Sequence, residues 1–270
     1  MLNKRSTYGI LAVIVLVGVF GFEYFLEQKA ASERFEEAKA LKDATNEFFL
    51  PTSTTGQIVH HSGYSLSYSE AHEQAEWVAY ELKKDQLSNA NFKRPYFEID
   101  KDIKTRAAHW YNYKNSGYDR GHLCPAADRK YSKTAFDETF LTSNISPQEH
   151  EFNSGIWNSL EQKVRYWAFK YDGVFVVTGG VLEEGLESIG EEQVSVPKYF
   201  YKVLIDNNSG QTKMIAFLMP HENSDRPLYD FVVSTDHIEQ LTGIDFFPEL
   251  EDAVEQKLEA SSDYKQWDFD

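Results

Sequence analysis

The chain predicts an α+β fold. Strand-like and helix-like segments follow one another without the regular β-α rhythm of a parallel sheet. Three observations carry that reading. An apolar run, Val174 to Thr178, closes on Gly179-Gly180 like a buried strand and its turn. Two further runs, Tyr199 to Ile205 and Lys213 to Met219, flank the turn-forming Asn207-Asn208-Ser209-Gly210 like a hairpin. Between residues 153 and 167, Trp157, Leu160, Val164 and Trp167 recur at helical spacing. With 270 residues, 41% of them hydrophobic, the chain can bury a substantial core.

Taken in order, residues 1–26 open with Lys4 and Arg5 and continue as an apolar run from Tyr8 to Phe22, then Tyr24, Phe25 and Leu26. As a helix, Tyr8 to Leu26 would span roughly 28 Å, close to a bilayer core. The expectation is an uncleaved membrane anchor with the basic flank in the cytoplasm and the remainder outside, in the periplasm or extracellular space. The alternative is a signal peptide cut after Val19-Phe20-Gly21 and secretion. No cysteine near the run offers a lipid attachment, since Cys124 is the one cysteine and has no partner for an intrachain disulfide.

Residues 27–55 are charged and rich in Ala, Glu and Lys, as in a helical stalk, and Pro51 to Gly56 breaks them. The main domain is expected over 56–250 and an acidic tail, a short fraying helix, over 251–270. Within the domain, Tyr64 to Tyr68 alternates like a strand, Ala71 to Leu82 fits a helix or a second strand, and Asp230 to Leu241 reads as a helix after a proline loop.

Charge is uneven. The net charge is −16, yet residues 93–133 hold ten Lys/Arg against five Asp/Glu, and residues 223–270 hold three against thirteen. A polyanion would meet the first region and be repelled by the second. Two ordinary solvated faces would give the same count.

The chemistry-bearing stretch is 118–165. Asp119-Arg120-Gly121-His122 places a histidine, the side chain suited to proton transfer near neutral pH, beside an arginine, which clamps phosphate. Asn153 stands at the expected N-terminus of the helix, where anions and their metals gather. An amide oxygen is a neutral ligand suited to a Mg²⁺ that keeps most of its waters. Glu161 follows two turns on, and Arg165 is i+4 from it. Each has a plainer reading: a structural histidine, an N-cap, an i,i+4 ion pair.

The segment Asp119-Arg120-Gly121-His122 resembles the D-R-G-H signature of the DNA/RNA non-specific endonucleases. The resemblance extends through Asn144-Ile145-Ser146-Pro147-Gln148 and the positions Asn153, Gly155, Trp157, Leu160, Glu161 and Arg165, and covers about residues 56–250. It implies a ββα-metal nuclease fold: His122 on the first strand, a second strand through Phe140 to Ile145, and the helix after Asn153. A central antiparallel sheet flanked by helices would carry this motif. It implies a sequence-non-specific endonuclease on DNA or RNA with His122 as general base and Asn153 as the one protein ligand of Mg²⁺, or of Mn²⁺ or another divalent cation. Glu161 would hold metal-bound water, Asn144 would shape the site loop, Arg94 would clamp phosphate, and Arg120 and Arg165 would support them. Asp119 would brace the loop, and Cys124 would fill space beside His122, a reactive thiol being the alternative. Nucleic acid is the expected partner, with the membrane through residues 1–26 and a homodimer besides. Two readings compete: a nuclease-fold binding module that does not cut, and an enzyme on another phosphodiester.

Overall fold

The computed structural model describes residues 49–208 and 211–269, with Gly21, Phe22 and Lys29 besides. The expected anchor and most of the stalk lie outside the described residues. Among the described residues no helix is long and apolar enough to cross a membrane.

The core is one antiparallel sheet covered on both faces. It is built from β1 (Ile58–His60), β2 (Ser65–Ser69), β3 (Gln74–Lys83), β6 (Gly173–Gly180), β9 (Tyr199–Asp206), β10 (Lys213–Pro220) and β11 (Val232–Val233), in the order β1-β2-β3-β6-β9-β10-β11. Two short ribbons stand outside it: β4 (Asp119–His122) with β5 (Ile145–Gln148), and β7 (Ser188–Ile189) with β8 (Val194–Ser195). The ambiguous segment after Ala71 is therefore the strand β3. Its burial on both faces, rather than on one, is what blurred the strand period in the sequence. The expected hairpin forms as β9 and β10, paired from Asp206–Lys213 to Tyr199–Pro220.

Alternation sorts the side chains. Val78, Tyr80 and Leu82 of β3, Val174 and Val176 of β6, and Phe200 and Leu204 of β9 face one layer. That layer is covered by Leu160, Val164 and Trp167 of the long helix α2 (Asn158–Lys170); the shorter α1 (Lys133–Glu138) precedes it in the chain. Trp77 and Ala79, Phe175 and Val177, and Tyr201, Val203 and Ile205 face the other layer. Ile238 of α3 (Thr235–Thr242) and the closing Ile244, Phe246 and Phe247 cover that one.

Three expectations change in detail. The second strand of the ribbon starts at Ile145, not Phe140, because Thr142–Asn144 is a 3₁₀ turn whose asparagine side chain is spent on the backbone. The helix expected from Asp230 begins at Thr235, because Val232 and Val233 pair with Phe217 and Ala216 of β10 as a short strand. The tail does not fray. After α4 (Asp252–Glu259), Trp267 is 3% exposed and packs edge-on against Trp167, whose indole N–H donates to the Asp268 carbonyl at 2.6 Å. At the other end, packing begins before residue 56: Phe49 stacks near Phe175 and Phe247, and Thr52 pairs with Asp245.

Candidate active site

The β4–β5 ribbon sits beside the α2 face of the sheet and carries the histidine. Its register pairs Asp119 with Gln148 and His122 with Ile145. Gly121 is required by closeness: a Cβ there would lie 2.1 Å from Gln148 Oε1. Beyond His122 the chain is pinned by Asn144. Its Oδ1 accepts from the Cys124 N–H at 2.8 Å, and its Nδ2 donates to the carbonyls of Cys124 (3.0 Å) and Thr139 (2.9 Å). Asn144 is wholly buried and shapes the loop.

His122 packs its ring against Phe97 and Phe140, and its Nε2 is buried with no hydrogen-bond partner in the fold. Burial, and then the Arg94 guanidinium, push its pKa down to about 4, so the imidazole is neutral at physiological pH. Arg94 lies over the rings of Phe97 and Phe140. Arg120 lies over Phe97, Trp110 and Tyr113 and donates to the Trp110 carbonyl at 3.3 Å. These arginines, His122, Asp119 and Asn153 line one cleft of about 510 Å³.

Asn153 does not cap the helix as expected. One helical turn, His150–Phe152, precedes it, and its own N–H donates to the Glu149 carbonyl. The chain then kinks at Gly155 (φ −98°, ψ −110°) before α2 begins. Asn223 sits against the kink: its Oδ1 accepts from the Ile156 N–H and would stand 2.2 Å from a Cβ at Gly155. Asn153 stands in the turn before this kink and lines the cleft. Its Nδ2 donates to Asp119 Oδ2 at 3.0 Å, and the same carboxylate oxygen takes His150 Nδ1 at 2.9 Å. Asp119 is thus a brace, and it fixes which end of the amide is committed.

Glu161 and Arg165 stand on α2 in a half-buried charge cluster with Asp128 and Lys202. Arg165 donates to Asp128 Oδ1 at 2.8 Å, and Asp128 also accepts from the Tyr80 hydroxyl. Burial raises the Glu161 carboxyl to about 7 against the pull of Lys202 and Arg165. The sequence reading missed Lys202. It is 1% exposed, its Nζ finds no hydrogen-bond partner, and it lies 4.7 Å from the centre of the Trp157 ring. Burial lowers its pKa to about 8 while Glu161 and Asp128 support its charge. A signal was present: one lysine inside the run Tyr199 to Ile205, on the same face as Phe200 and Leu204. Cys124 is fully buried and its thiol is pushed up to about 12, the behaviour of an inert filler.

Residues 42–253 match the model of the DNA/RNA non-specific endonucleases. The chain is 35% identical over 221 residues to the mitochondrial nuclease EXOG of Danio rerio, a match that covers 76% of this chain and 64% of that protein. It is 32% identical to the mitochondrial endonuclease G of Homo sapiens over 72% of this chain and 70% of that protein. A crystal structure of an EndoG/EndoGI complex superposes with a TM-score of 0.66 at 32% identity, covering 72% of this chain and 86% of that one. These findings correct the expected location. The relatives are named as mitochondrial proteins, so the expected location in the periplasm or outside the cell is not supported. With the signature ribbon, the kinked helix and the sheet in place, the chain belongs to the DNA/RNA non-specific endonuclease family, a family of nucleases.

Proposed function

We propose that the protein is a divalent-metal-dependent, sequence-non-specific endonuclease of DNA or RNA in which His122 is the general base and Asn153 holds the metal. The observation that carries this reading is the neutral His122, its Nε2 unpartnered, in a cleft shared with Arg94, Arg120 and Asn153. A base must be unprotonated and free to accept. His122 meets both conditions above pH about 4.

Arg94 and Arg120 bind the phosphate oxygens and set its orientation. His122 Nε2 takes a proton from water as the water oxygen bonds to phosphorus. The phosphorus–oxygen bond to the 3′ carbon's oxygen breaks, and that oxygen leaves. The residues present fit a hydrated Mg²⁺: with the nitrogen end of the Asn153 amide committed to Asp119, its carbonyl oxygen is the end that would serve as ligand. When bound, such an ion would neutralise charge on the phosphate and on the leaving oxygen. Glu161, whose charge Lys202 and Arg165 favour, would be the acid that bonds a water of such an ion.

Nicking of a supercoiled plasmid, with MgCl₂ and with EDTA, tests the reading. Cleavage with MgCl₂ that stops in EDTA and in His122→Ala is expected. Cleavage undiminished by EDTA would overturn the metal assignment, and a folded wild type that binds DNA without cutting would establish a binding module.

A further inference from the structure

The loop that leads into β4 carries three consecutive aromatic rings, His109, Trp110 and Tyr111, and none of them is buried. Tyr111 is 60% exposed. Its ring lies nearly parallel to that of His109, centres 3.9 Å apart at 17°, and its centre is 3.9 Å from that of the Trp110 ring. His109 Nδ1 accepts from the Tyr111 N–H at 3.1 Å, which ties the two stacked residues together.

The rings are held from beneath. They open the 3₁₀ turn Trp110–Tyr113, whose buried Asn112 donates to the His109 carbonyl at 2.7 Å and also to Glu192, in the loop between β7 and β8. Asn112 Oδ1 accepts from the Glu192 N–H at 3.2 Å, and the Glu192 carboxylate accepts from the His109 N–H at 2.6 Å. These polar groups fix the turn with its aromatic side outward. A rigid aromatic surface loses little entropy when a planar ligand stacks on it.

Arg120 joins this surface to the catalytic cleft. It lines the cleft, its guanidinium lies 5.7 Å from the centre of the Trp110 ring, and it donates to the Trp110 carbonyl at 3.3 Å. A strand whose phosphate is held at Arg120 has its neighbouring bases within reach of the rings. His109, Tyr111 and Lys114 line a groove of about 740 Å³ together with Glu191 and Glu192. The two acids decide what the groove takes: they repel a phosphate, which stays with Arg120, and they do not repel a neutral base. Stacking on an aromatic ring is open to every base, because each has a π-face. A duplex keeps its bases inside the helix, whereas an unpaired strand can splay them out. We propose that His109, Trp110 and Tyr111 form a base-stacking platform that takes an unpaired nucleobase of the strand whose phosphate Arg120 holds. The platform presupposes the nuclease reading above and adds to it a preference for unpaired strands.

The test is binding by the full chain carrying His122→Ala, in EDTA so that nothing is cut, followed by fluorescence anisotropy. The probes are a labelled single-stranded DNA decamer of mixed sequence and an abasic decamer with the same number of phosphates. The base-bearing strand should bind at least about fivefold more tightly than the abasic one. Adding Tyr111→Ala should erase that margin while the abasic affinity and the salt slope stay unchanged, because no phosphate contact is lost. Tyr111→Phe should keep the margin. A margin retained in Tyr111→Ala would overturn the platform, and so would an equal loss for both strands, the mark of a merely structural turn. Equal binding of both strands before any change at Tyr111 would overturn it too, and decides alone should Tyr111→Ala not fold; plasmid nicking by the wild type would then leave the nuclease reading standing. Binding of neither strand, with no nicking by the wild type, would overturn both.

Discussion

The two faces of the central sheet differ in what strand β9 shows them. To one face it presents Tyr201, Val203 and Ile205, packed with Trp77, Phe175 and Phe246, and the tyrosine hydroxyl is satisfied by the Glu76 carbonyl. To the other it presents Phe200, Lys202 and Leu204, and the lysine is buried with no hydrogen-bond partner, over a tryptophan ring and near a raised glutamate. One face is packed for stability. The other keeps unpartnered polar groups, Lys202 Nζ, Trp157 Nε1 and His122 Nε2 among them, which cost folding energy and are kept where chemistry needs them. The lesson is that burial alone does not mark a core: the same strand buries a satisfied tyrosine on one face and a lysine with no hydrogen-bond partner on the other.

The largest effect expected lies in the cleft. His122→Ala should lower the cleavage rate by about 10²–10⁴ with an unchanged melting curve, since a general base is lost and a side chain with no bond at Nε2 leaves little behind. Near-wild-type turnover in a folded variant would remove the distinction between the faces. Phe175→Ala, on the opposite face, should do the reverse. Deleting a ring 3% exposed and packed against Phe49 and Phe247 should cost about 3–5 kcal/mol of stability while the rate per folded molecule stays put. Denaturant unfolding and active-site-normalised kinetics check it.

Gly155→Ala tests the kink and should be intermediate. The added Cβ meets Asn223 Oδ1, so the turn must shift, at a cost of about 1–3 kcal/mol. Activity should need more Mg²⁺ because Asn153 moves with the turn. An unshifted Mg²⁺ dependence would show that the kink does not place Asn153.

The pH profile sharpens the comparison further. His122 titrates near 4 rather than 6.5, so the acid limb of kcat/KM should lie near pH 4. The sign for stability follows: the folded state binds fewer protons than the unfolded chain, so the contribution is full above about pH 6.5 and is lost as pH falls toward 4. An acid limb near 6.5 would mean that His122 is solvated, or is not the base. The smallest effect expected is that of Arg94→Ala, which should reduce the salt slope of duplex binding by about one and weaken all sequences alike.

The sequence by itself determined what is written in neighbouring residues. The β9–β10 hairpin, the strand β6 and the apolar stripe of α2 follow from local periodicity. The family resemblance carried by the D-R-G-H segment and the residues from Asn153 on singled out His122 and Asn153, which line one cleft. Only the tertiary structure decided the rest, because it depends on residues far apart in the chain. Asn223 packs against the kink 68 positions before it, at Gly155, and accepts from the Ile156 N–H that follows it. Lys202 reaches the surroundings of Glu161 from the strand beneath α2. The acidic tail, which by composition should fray, folds back because Trp267 finds Trp167. Acids that look like solvated surface in the sequence gather in two groups, Asp236 with Glu239 and Asp245 with Glu255, each beside Glu259. A local pattern tells which face a side chain takes; only packing tells what waits on that face, and therefore whether a charge is solvated, paired or left open for a ligand.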